Sequence, residues 1–180
     1  VLDACSAPGG KSLAILQLFN PKKLISTDIH EHKVKLLNEL KSKYDYSNFE
    51  VNLNDATQIE NLDTMFDNIL LDMPCSGLGV LRKKPEKIYD LTANDIKNLK
   101  KLQKKIFESA YKCLKSDGEM LYSTCTFSKN ENTNNIQYFL EKYEDLEIME
   151  VEIPENIDNI RDEFGGIYIS YKNEYLDGFY

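Results

Sequence analysis

The stretch that decides the fold is residues 1–19, VLDACSAPGGKSLAILQLF. It begins with the apolar run Val1-Leu2-Asp3-Ala4-Cys5, typical of a buried strand, and continues through a short loop into a run that predicts a helix over 10–19. Gly9 and Gly10 let backbone N–H groups approach a ligand, and the helix N-terminus favours negative charge there. A strand, glycine turn and helix in this order predict an α/β unit that binds a ligand at the carboxyl end of its strand.

The same alternation of short apolar runs and longer amphipathic runs continues along the chain. Strands are predicted at 1–5, 24–28, 49–53, 68–72 and 119–124, with weaker strands at 146–152 and near 167–171. Helices are predicted at 10–19, 31–43, 93–115 and 130–143. Apolar strands joined by helices indicate an α/β fold with a doubly wound, Rossmann-like, mostly parallel sheet.

The strongest helix signal lies at 93–115. Apolar side chains recur there at three- and four-residue steps and form one stripe: Ile96, Leu99, Leu102, Ile106, Phe107, Ala110, Tyr111 and Leu114. Thr92 is the predicted N-cap, with Asp95 in the first turn, and Asp117-Gly118 is the predicted stop. Most lysines of this helix lie off the stripe.

Length and composition limit the class of protein. The chain has 180 residues, which fits one domain, and 42% of them are hydrophobic, which argues against disorder. No run approaches the ~18 apolar residues of a membrane helix and no leader segment is recognised, so no membrane partner is expected. Four cysteines are too few for a disulfide scaffold and favour a reducing, cytoplasmic setting. Both ends fall within apolar runs, so we expect 1–180 to be one incomplete domain of a longer protein, without its upstream domain.

Three acidic residues, Asp28, Asp55 and Asp72, follow or end successive predicted strands. Two ligand classes suit this edge. Gly10-Lys11-Ser12 resembles the end of a phosphate-binding P-loop, with Asp72 as the Mg²⁺ ligand of an ATPase, but that pattern needs glycine where Cys5 stands. The alternative is a nucleoside cofactor whose ribose hydroxyls bind Asp28.

Two cysteines are predicted to lie at the same edge. Cys75 follows the fourth strand and Cys125 follows the fifth, and these strands are expected to be neighbours about 4.8 Å apart. Zinc is not expected, because close pairs such as Cys-x-x-Cys are missing. Thiol nucleophile chemistry is favoured, although spacing alone does not say which cysteine attacks. Cys113, on the long helix, is expected to be inert.

Three motifs in order resemble the Nol/Nop/Sun family of S-adenosylmethionine-dependent RNA methyltransferases, which make 5-methylcytosine. They are Asp3-Ala4-Cys5-Ser6-Ala7-Pro8-Gly9-Gly10-Lys11, Asp72-Met73-Pro74-Cys75-Ser76-Gly77-Leu78-Gly79 and Tyr122-Ser123-Thr124-Cys125. The run 77–85 is most similar to the bacterial Sun-type branch, which modifies small-subunit ribosomal RNA. The likeness spans nearly the whole chain and implies a methyltransferase catalytic domain.

The resemblance implies roles for the motif residues. The loop residues Cys5, Ser6, Ala7, Pro8, Gly9, Gly10 and Lys11 would hold the methionine part of S-adenosylmethionine. Asp28 would bind its ribose, Asp55 would lie by its adenine, and Asp72 would lie beside the target base. Cys125 matches the family's nucleophile and Cys75 its second cysteine, which assists product release; Lys11 joins them as a catalytic residue. The protein is expected to bind no metal and to be a monomer. An adaptor that binds RNA without catalysis would need neither thiol.

The net charge of −8 argues at first against a polyanionic partner. The total conceals a division, because residues 80–115 hold 11 basic and 4 acidic residues, whereas the rest of the chain sums to −15. Arg82, Lys83, Lys84 and Lys87 follow the second motif directly and are the predicted RNA contacts. RNA is therefore expected to meet one side of this chain only.

Overall fold

A computed structural model of the chain describes residues 1–170, 172–173 and 176–180. The chain forms two compact units. The first comprises residues 1–73 and 105–122, and the second comprises residues 74–104 and 123–180.

The first unit is built on a five-stranded sheet. Its strands are β1 (Leu2–Asp3), β2 (Leu24–Asp28), β3 (Phe49–Leu53), β4 (Phe66–Asp72) and β5 (Leu114–Ser123), whose last residue is already assigned to the second unit. They lie in the order β3-β2-β1-β4-β5, and β1 pairs in parallel with both β2 and β4. This order confirms the predicted doubly wound α/β sheet and the predicted neighbourhood of the fourth and fifth strands.

The strand order reverses at β1, which lies between β2 and β4. Leu2 is the register partner of Ile25 on one side and of Ile69 on the other. Ligands of such sheets bind outside the carboxyl ends of the strands where the order reverses. The residues that follow β1 and those that end β4 therefore occupy the position where a ligand is expected.

Helices α1 (Gly10–Phe19) and α2 (Glu31–Tyr44) follow β1 and β2, and a 3₁₀ segment spans Ala56–Leu62 after β3. Every residue of β2 is buried, which explains why this strand is apolar or small along most of its length. Leu16 of α1 packs with Leu24 and Phe49 in a buried cluster. The sequence boundaries of β2, β3 and α1 are confirmed.

The second unit contains four helical segments and a small hairpin among its described residues. Its elements are a 3₁₀ turn (Leu78–Val80), α3 (Lys87–Asp90), the first half of α4 (Ala93–Cys113), α5 (Thr133–Lys142), β6 (Asn159–Arg161) and β7 (Ile167–Ile169). The strands β6 and β7 pair antiparallel. The predicted cap of α4 is confirmed, because the Thr92 N–H and hydroxyl both donate to Asp95 and the Asp95 N–H donates back to Thr92 Oγ1.

Several predicted boundaries are wrong. Residues 146–152 form no strand, because Ile148, Met149 and Val151 are exposed and find no strand to pair with among the described residues. The helix predicted at 130–143 begins at Thr133, after a turn. The long helix ends at Cys113, so Asp117-Gly118 lies inside β5 and is not the stop.

The weaker strand predicted near 167–171 is confirmed over Ile167–Ile169, while its last position, 171, lies outside the described residues. Within the part of the chain that the structure describes, no helix is long and apolar enough to cross a membrane.

Candidate active site

The loop after β1 has the geometry that its glycines require. Gly9 has φ of +102°, and a Cβ there would lie 2.9 Å from Leu37 and 2.8 Å from Leu40, so only glycine fits. The Ser6 N–H and hydroxyl both donate to Thr27 O, at 2.9 and 3.0 Å, which fixes the loop to β2. A Cβ at Gly10 would meet nothing within 4 Å, so the start of α1 faces open space. No side chain of the N-cap residue Gly9 caps α1, so the N–H groups of its first turn can bind a ligand there.

Asp3 belongs to the first motif, and sequence reasoning assigned it no role. Its side chain is fully buried, and the Ser12 hydroxyl donates to Oδ2 at 2.7 Å. Burial raises the pKa of Asp3 to about 6. No donor among the described residues reaches Oδ1. A buried acceptor left over beside this loop fits a ligand that brings a donor, such as an amino acid's ammonium group.

The acids that follow β2 and β3 are both engaged locally. Asp28 is buried, and its Oδ1 accepts from the His30 N–H at 3.0 Å while Lys33 Nζ lies 3.5 Å from its Oδ2. Asp55 caps the 3₁₀ segment through the Thr57 N–H and hydroxyl, each at 2.8 Å. Each of these acids thus follows or ends a strand, as predicted.

Lys11 and Asp72 meet at the reversal of the sheet. Lys11 Nζ lies 2.6 Å from Asp72 Oδ2, and the two side chains are 40% and 30% exposed. A pair this exposed contributes at most about 1 kcal/mol to stability. Its structural effect is to join the first turn of α1 to the end of β4 and to hold the Asp72 carboxylate in one orientation.

Cys75 and Cys125, both in the second unit, are in contact. Their sulfurs are 3.1 Å apart, and the Cys125 N–H donates to Cys75 Sγ at 3.3 Å. The hydrogen bond with Cys125, and then burial, raise the pKa of Cys75 far above its ordinary value. The predicted proximity of the two thiols is confirmed.

The loop that follows Cys75 is fitted closely around Cys125. The Gly79 N–H donates to Cys125 O at 2.9 Å, and the Gly178 N–H donates to Gly79 O at the same distance. A Cβ on Gly79 would lie 2.1 Å from Gly178 O and 2.9 Å from Cys125 O. Any larger residue at Gly79 would clash first with the Gly178 backbone and then with the Cys125 carbonyl.

A buried polar cluster around the cysteines was missed by the sequence analysis. Glu131, Gln103, Ser76 and Thr126 are all buried and bonded to one another. The signal is weak, because Glu131 stands in the polar run Asn130-Glu131-Asn132 and looks like a surface residue. The other two cysteines carry no nucleophile signal: Cys5 has its pKa raised to about 12 by burial, and burial also raises the pKa of Cys113.

Two of the four predicted RNA contacts, Arg82 and Lys83, are bonded to residues near the C-terminus. Lys83 Nζ is paired with Asp177 Oδ2 at 2.7 Å, and Arg82 Nη1 donates to Asn173 O at 3.3 Å. A cavity of about 650 Å³ is lined by Arg82, Phe127 and Lys129, among others. These residues are a planar ring and two cations, the groups that contact bases and phosphates.

A second basic feature is a groove of about 440 Å³ along the start of α4. Four lysines line it: Lys97, Lys100, Lys101 and Lys104, which we call the lysine face. Among the described residues, no acid lies within ion-pair distance of Lys97, Lys100 or Lys101. Like charges three and four residues apart on a helix repel, so this face suits an anionic partner.

No group of three or more His, Cys, Asp or Glu side chains that could hold an ion occurs in the described ranges of the chain.

Comparison with known proteins identifies the family. The family model described as "16S rRNA methyltransferase RsmB/F" matches residues 1–180. The chain is 37% identical over 163 residues to the probable ribosomal RNA small subunit methyltransferase B of Bacillus subtilis, covering 87% of this chain and 36% of the relative. It is 37% identical over 147 residues to the ribosomal RNA small subunit methyltransferase F of Shewanella piezotolerans, covering 81% of this chain and 31% of the relative. The chain thus spans about a third of the length of these curated relatives.

A solved structure agrees with this assignment. NSun6 from Pyrococcus horikoshii with SFG superposes with a TM-score of 0.85 at 27% identity, over 99% of this chain and 45% of that one. The resemblance drawn from the three sequence motifs is confirmed: the chain belongs to the RsmB/F family of 16S rRNA methyltransferases, the Sun family.

Proposed function

We propose that this chain transfers a methyl group from S-adenosylmethionine to carbon-5 of a cytosine in small-subunit ribosomal RNA, through a covalent bond between Cys125 and the base. The observation that carries the proposal is the pair of thiols in contact, Cys75 and Cys125, in a chain of this family. A P-loop ATPase, the alternative from sequence, does not fit membership of this family. Residues 1–180 would form one catalytic domain, acting on RNA in the cytoplasm.

The cofactor proposal is supported by the groups that surround the loop after β1. The buried Asp3 Oδ1 offers an acceptor to an ammonium group, the loop 5–11 offers N–H donors, and Asp28 offers a carboxylate to ribose hydroxyls. SFG, bound in the related NSun6 structure, is an analogue of S-adenosylmethionine. When bound, S-adenosylmethionine would supply a methyl group on a positively charged sulfur.

The thiols explain how an unreactive carbon could be methylated. Carbon-5 of cytosine is a weak nucleophile, and addition of the Cys125 thiolate to carbon-6 would make it enamine-like and able to attack the methyl group. Asp72, oriented by Lys11, would contact the edge of the base and stabilise the charge that develops there. Loss of the carbon-5 proton would then re-form the ring double bond and expel Cys125.

The RNA proposal is supported by the basic groups of the second unit. The lysine face would contact backbone phosphates, and so would Arg82, Lys83, Lys84 and Lys87. Phe127 and Gly79 line a cavity of about 650 Å³, and Gly79 is bonded to the Cys125 carbonyl. The chemistry requires an unstacked nucleotide, because a base inside a duplex stack cannot reach the thiol.

Two cysteine substitutions test the proposed reaction in the full-length protein. Cys125→Ala is expected to abolish methylation, a loss of about 10⁴-fold or more as for other nucleophiles, and to leave the Kd of S-adenosylhomocysteine unchanged. Cys75→Ala is expected to trap the covalent RNA complex, seen as a slow band on denaturing gels. Cys113→Ala, at a buried cysteine on α4, is the matched control. Full activity in Cys125→Ala would reject the assignment.

A further inference from the structure

A fully buried carboxyl group is bonded to the residue that follows Cys75. Glu131 is 0% exposed, and its Oε2 accepts from the Ser76 N–H at 2.9 Å and from Gln103 Nε2 at 3.1 Å. Its Oε1 accepts from the Ser76 hydroxyl at 2.6 Å. In all three contacts a carboxyl oxygen of Glu131 is the acceptor. A buried polar group that loses its partners destabilises the fold, so the arrangement requires these contacts to persist.

The same group of side chains holds the backbone on both sides of Cys75. Gln103, which is also fully buried, donates from Nε2 to Pro74 O at 2.9 Å as well as to Glu131. Its orientation is fixed by Asn135 Nδ2, which donates to Gln103 Oε1 at 2.9 Å. The carbonyl before Cys75 and the N–H after it are therefore both bonded to buried side chains.

The network also reaches the residue that follows Cys125. Ser76 Oγ lies 2.7 Å from Thr126 Oγ1. Because the single Ser76 proton is donated to Glu131, the Thr126 hydroxyl must donate to Ser76, and its oxygen accepts from the Ser128 N–H at 3.2 Å. The hydrogen bonds thus run in one direction, from Ser128 through Thr126 and Ser76 to Glu131.

We propose that Glu131 is a positioning residue for the two thiols. Through Ser76 and Thr126 it joins the segments that carry Cys75 and Cys125, and so keeps their sulfurs 3.1 Å apart. The catalytic meaning of this role rests on the proposed function, whereas the geometric role does not.

The role belongs to the release step. A water molecule takes the carbon-5 proton, the carbon-5 to carbon-6 double bond re-forms, and the bond between carbon-6 and Cys125 Sγ breaks. The electron pair of that bond leaves on Cys125 Sγ, where the thiol of Cys75 donates a hydrogen bond to it. A displacement of about 1 Å between reacting groups can lower a rate about 10²-fold, so the spacing of the two sulfurs matters for this step.

The first experiment measures the spacing without using the reaction. The full-length protein is treated with diamide, a diazene that takes two electrons and two protons from the thiols as the Cys75–Cys125 disulfide forms, and mass spectrometry follows the linked peptide. Glu131→Gln and Glu131→Ala are expected to slow closure about 10- to 100-fold. Glu155→Gln, at an exposed acid of the same unit, is the control with the wild-type rate. Closure of Glu131→Gln at the wild-type rate would overturn the proposal.

A second pair of variants separates positioning from folding. Thr126→Val removes only the hydroxyl that meets Ser76 and is expected to slow closure, whereas Thr126→Ser keeps that hydroxyl and restores the rate. This pair decides the matter even if Glu131→Ala fails to fold. Equal rates for the valine and serine variants would contradict a role of the network.

The final readout connects the geometry to the reaction. With RNA and cofactor, Glu131→Gln is expected to accumulate the covalent complex as Cys75→Ala does, with kcat lowered about tenfold or more and KM for RNA unchanged. Loss of the complex together with weaker S-adenosylhomocysteine binding would mark a purely structural role and reject the proposal. Slow closure with no covalent complex in any variant would support the positioning role and contradict the proposed function instead.

Discussion

At the scale of single residues, the buried Asp3 carboxyl lowers the stability of the fold at neutral pH, and we propose that it helps to bind the cofactor. The unfolded chain ionises this carboxyl near pH 3.8, whereas burial raises its pKa to about 6 in the folded state. The folded state therefore binds the proton more tightly between these values. As pH rises from about 4 to 6 the unfolded state loses the proton first, so folding stability falls and stays lower above pH 6.

Asp3→Asn is accordingly expected to be more stable than the wild type at pH 7.5 and to bind S-adenosylhomocysteine more weakly. Two pKa units correspond to about 3 kcal/mol, the upper limit of the gain in the free energy of unfolding. The gain should shrink towards zero near pH 4, where both states hold the proton. Urea unfolding at both pH values measures the gain in stability, and calorimetry measures the affinity for S-adenosylhomocysteine. The substitution Asp117→Asn, at an exposed acid, is the control. A gain independent of pH would contradict this account.

The sequence predicts the two thiols of the candidate site but not the buried polar side chains beside them, and the difference has a physical reason. Cys75 and Cys125 each follow a strand, and the order of parallel strands is enough to bring such positions together. Glu131 and Gln103 carry no comparable signal, because a buried charge or amide is recognisable only from the partners that satisfy it. Those partners come from segments 28 or more residues away in the chain.

At the scale of elements, helix α4 shows what periodicity can and cannot predict. The capping pair Thr92 and Asp95 fixes its start, because the signal is local. Its buried face is shifted from the predicted stripe: Gln103 is fully buried, whereas Leu102 is 37% exposed. Hydrophobicity alone predicts that Leu102 is buried and Gln103 exposed. The opposite is found, because the hydrogen bonds of Gln103 to Pro74 and Glu131 satisfy its buried amide group.

The lysine face of the same helix yields a prediction on RNA binding. Lys97→Ala, Lys100→Ala and Lys101→Ala together are expected to weaken binding and to reduce the slope of log K against log salt by about 2, at roughly 0.7 per phosphate contact on single strands. The control replaces three exposed lysines of the first unit, Lys22, Lys35 and Lys43. Filter binding over a salt series measures both sets. An unchanged slope in the first set would exclude phosphate contacts there.

At the scale of the whole molecule, the charge of −8 is the sum of unlike regions. The excess of 7 positive charges over residues 80–115 starts directly after the Cys75 loop, whereas residues 141–177 hold 12 acidic and 3 basic residues. Charge reversal of Lys83 and Lys84 is expected to weaken RNA binding more than cofactor binding, since neither residue belongs to the first unit. Equal losses of both affinities, measured by filter binding and calorimetry, would argue against contacts with phosphates.

The two compact units divide the proposed tasks, because the candidate cofactor residues belong to the first and the thiols to the second. Asp28→Asn is therefore expected to raise the Kd of S-adenosylhomocysteine about tenfold or more, since hydrogen bonds to a charged group contribute about 1.5–3 kcal/mol. The same variant should close the Cys75–Cys125 disulfide at the wild-type rate. Glu131→Gln should show the reverse pattern, with slow closure and an unchanged Kd. If Asp28→Asn slowed closure as much as Glu131→Gln does, the thiol geometry would depend on the first unit, and the division of tasks would be wrong.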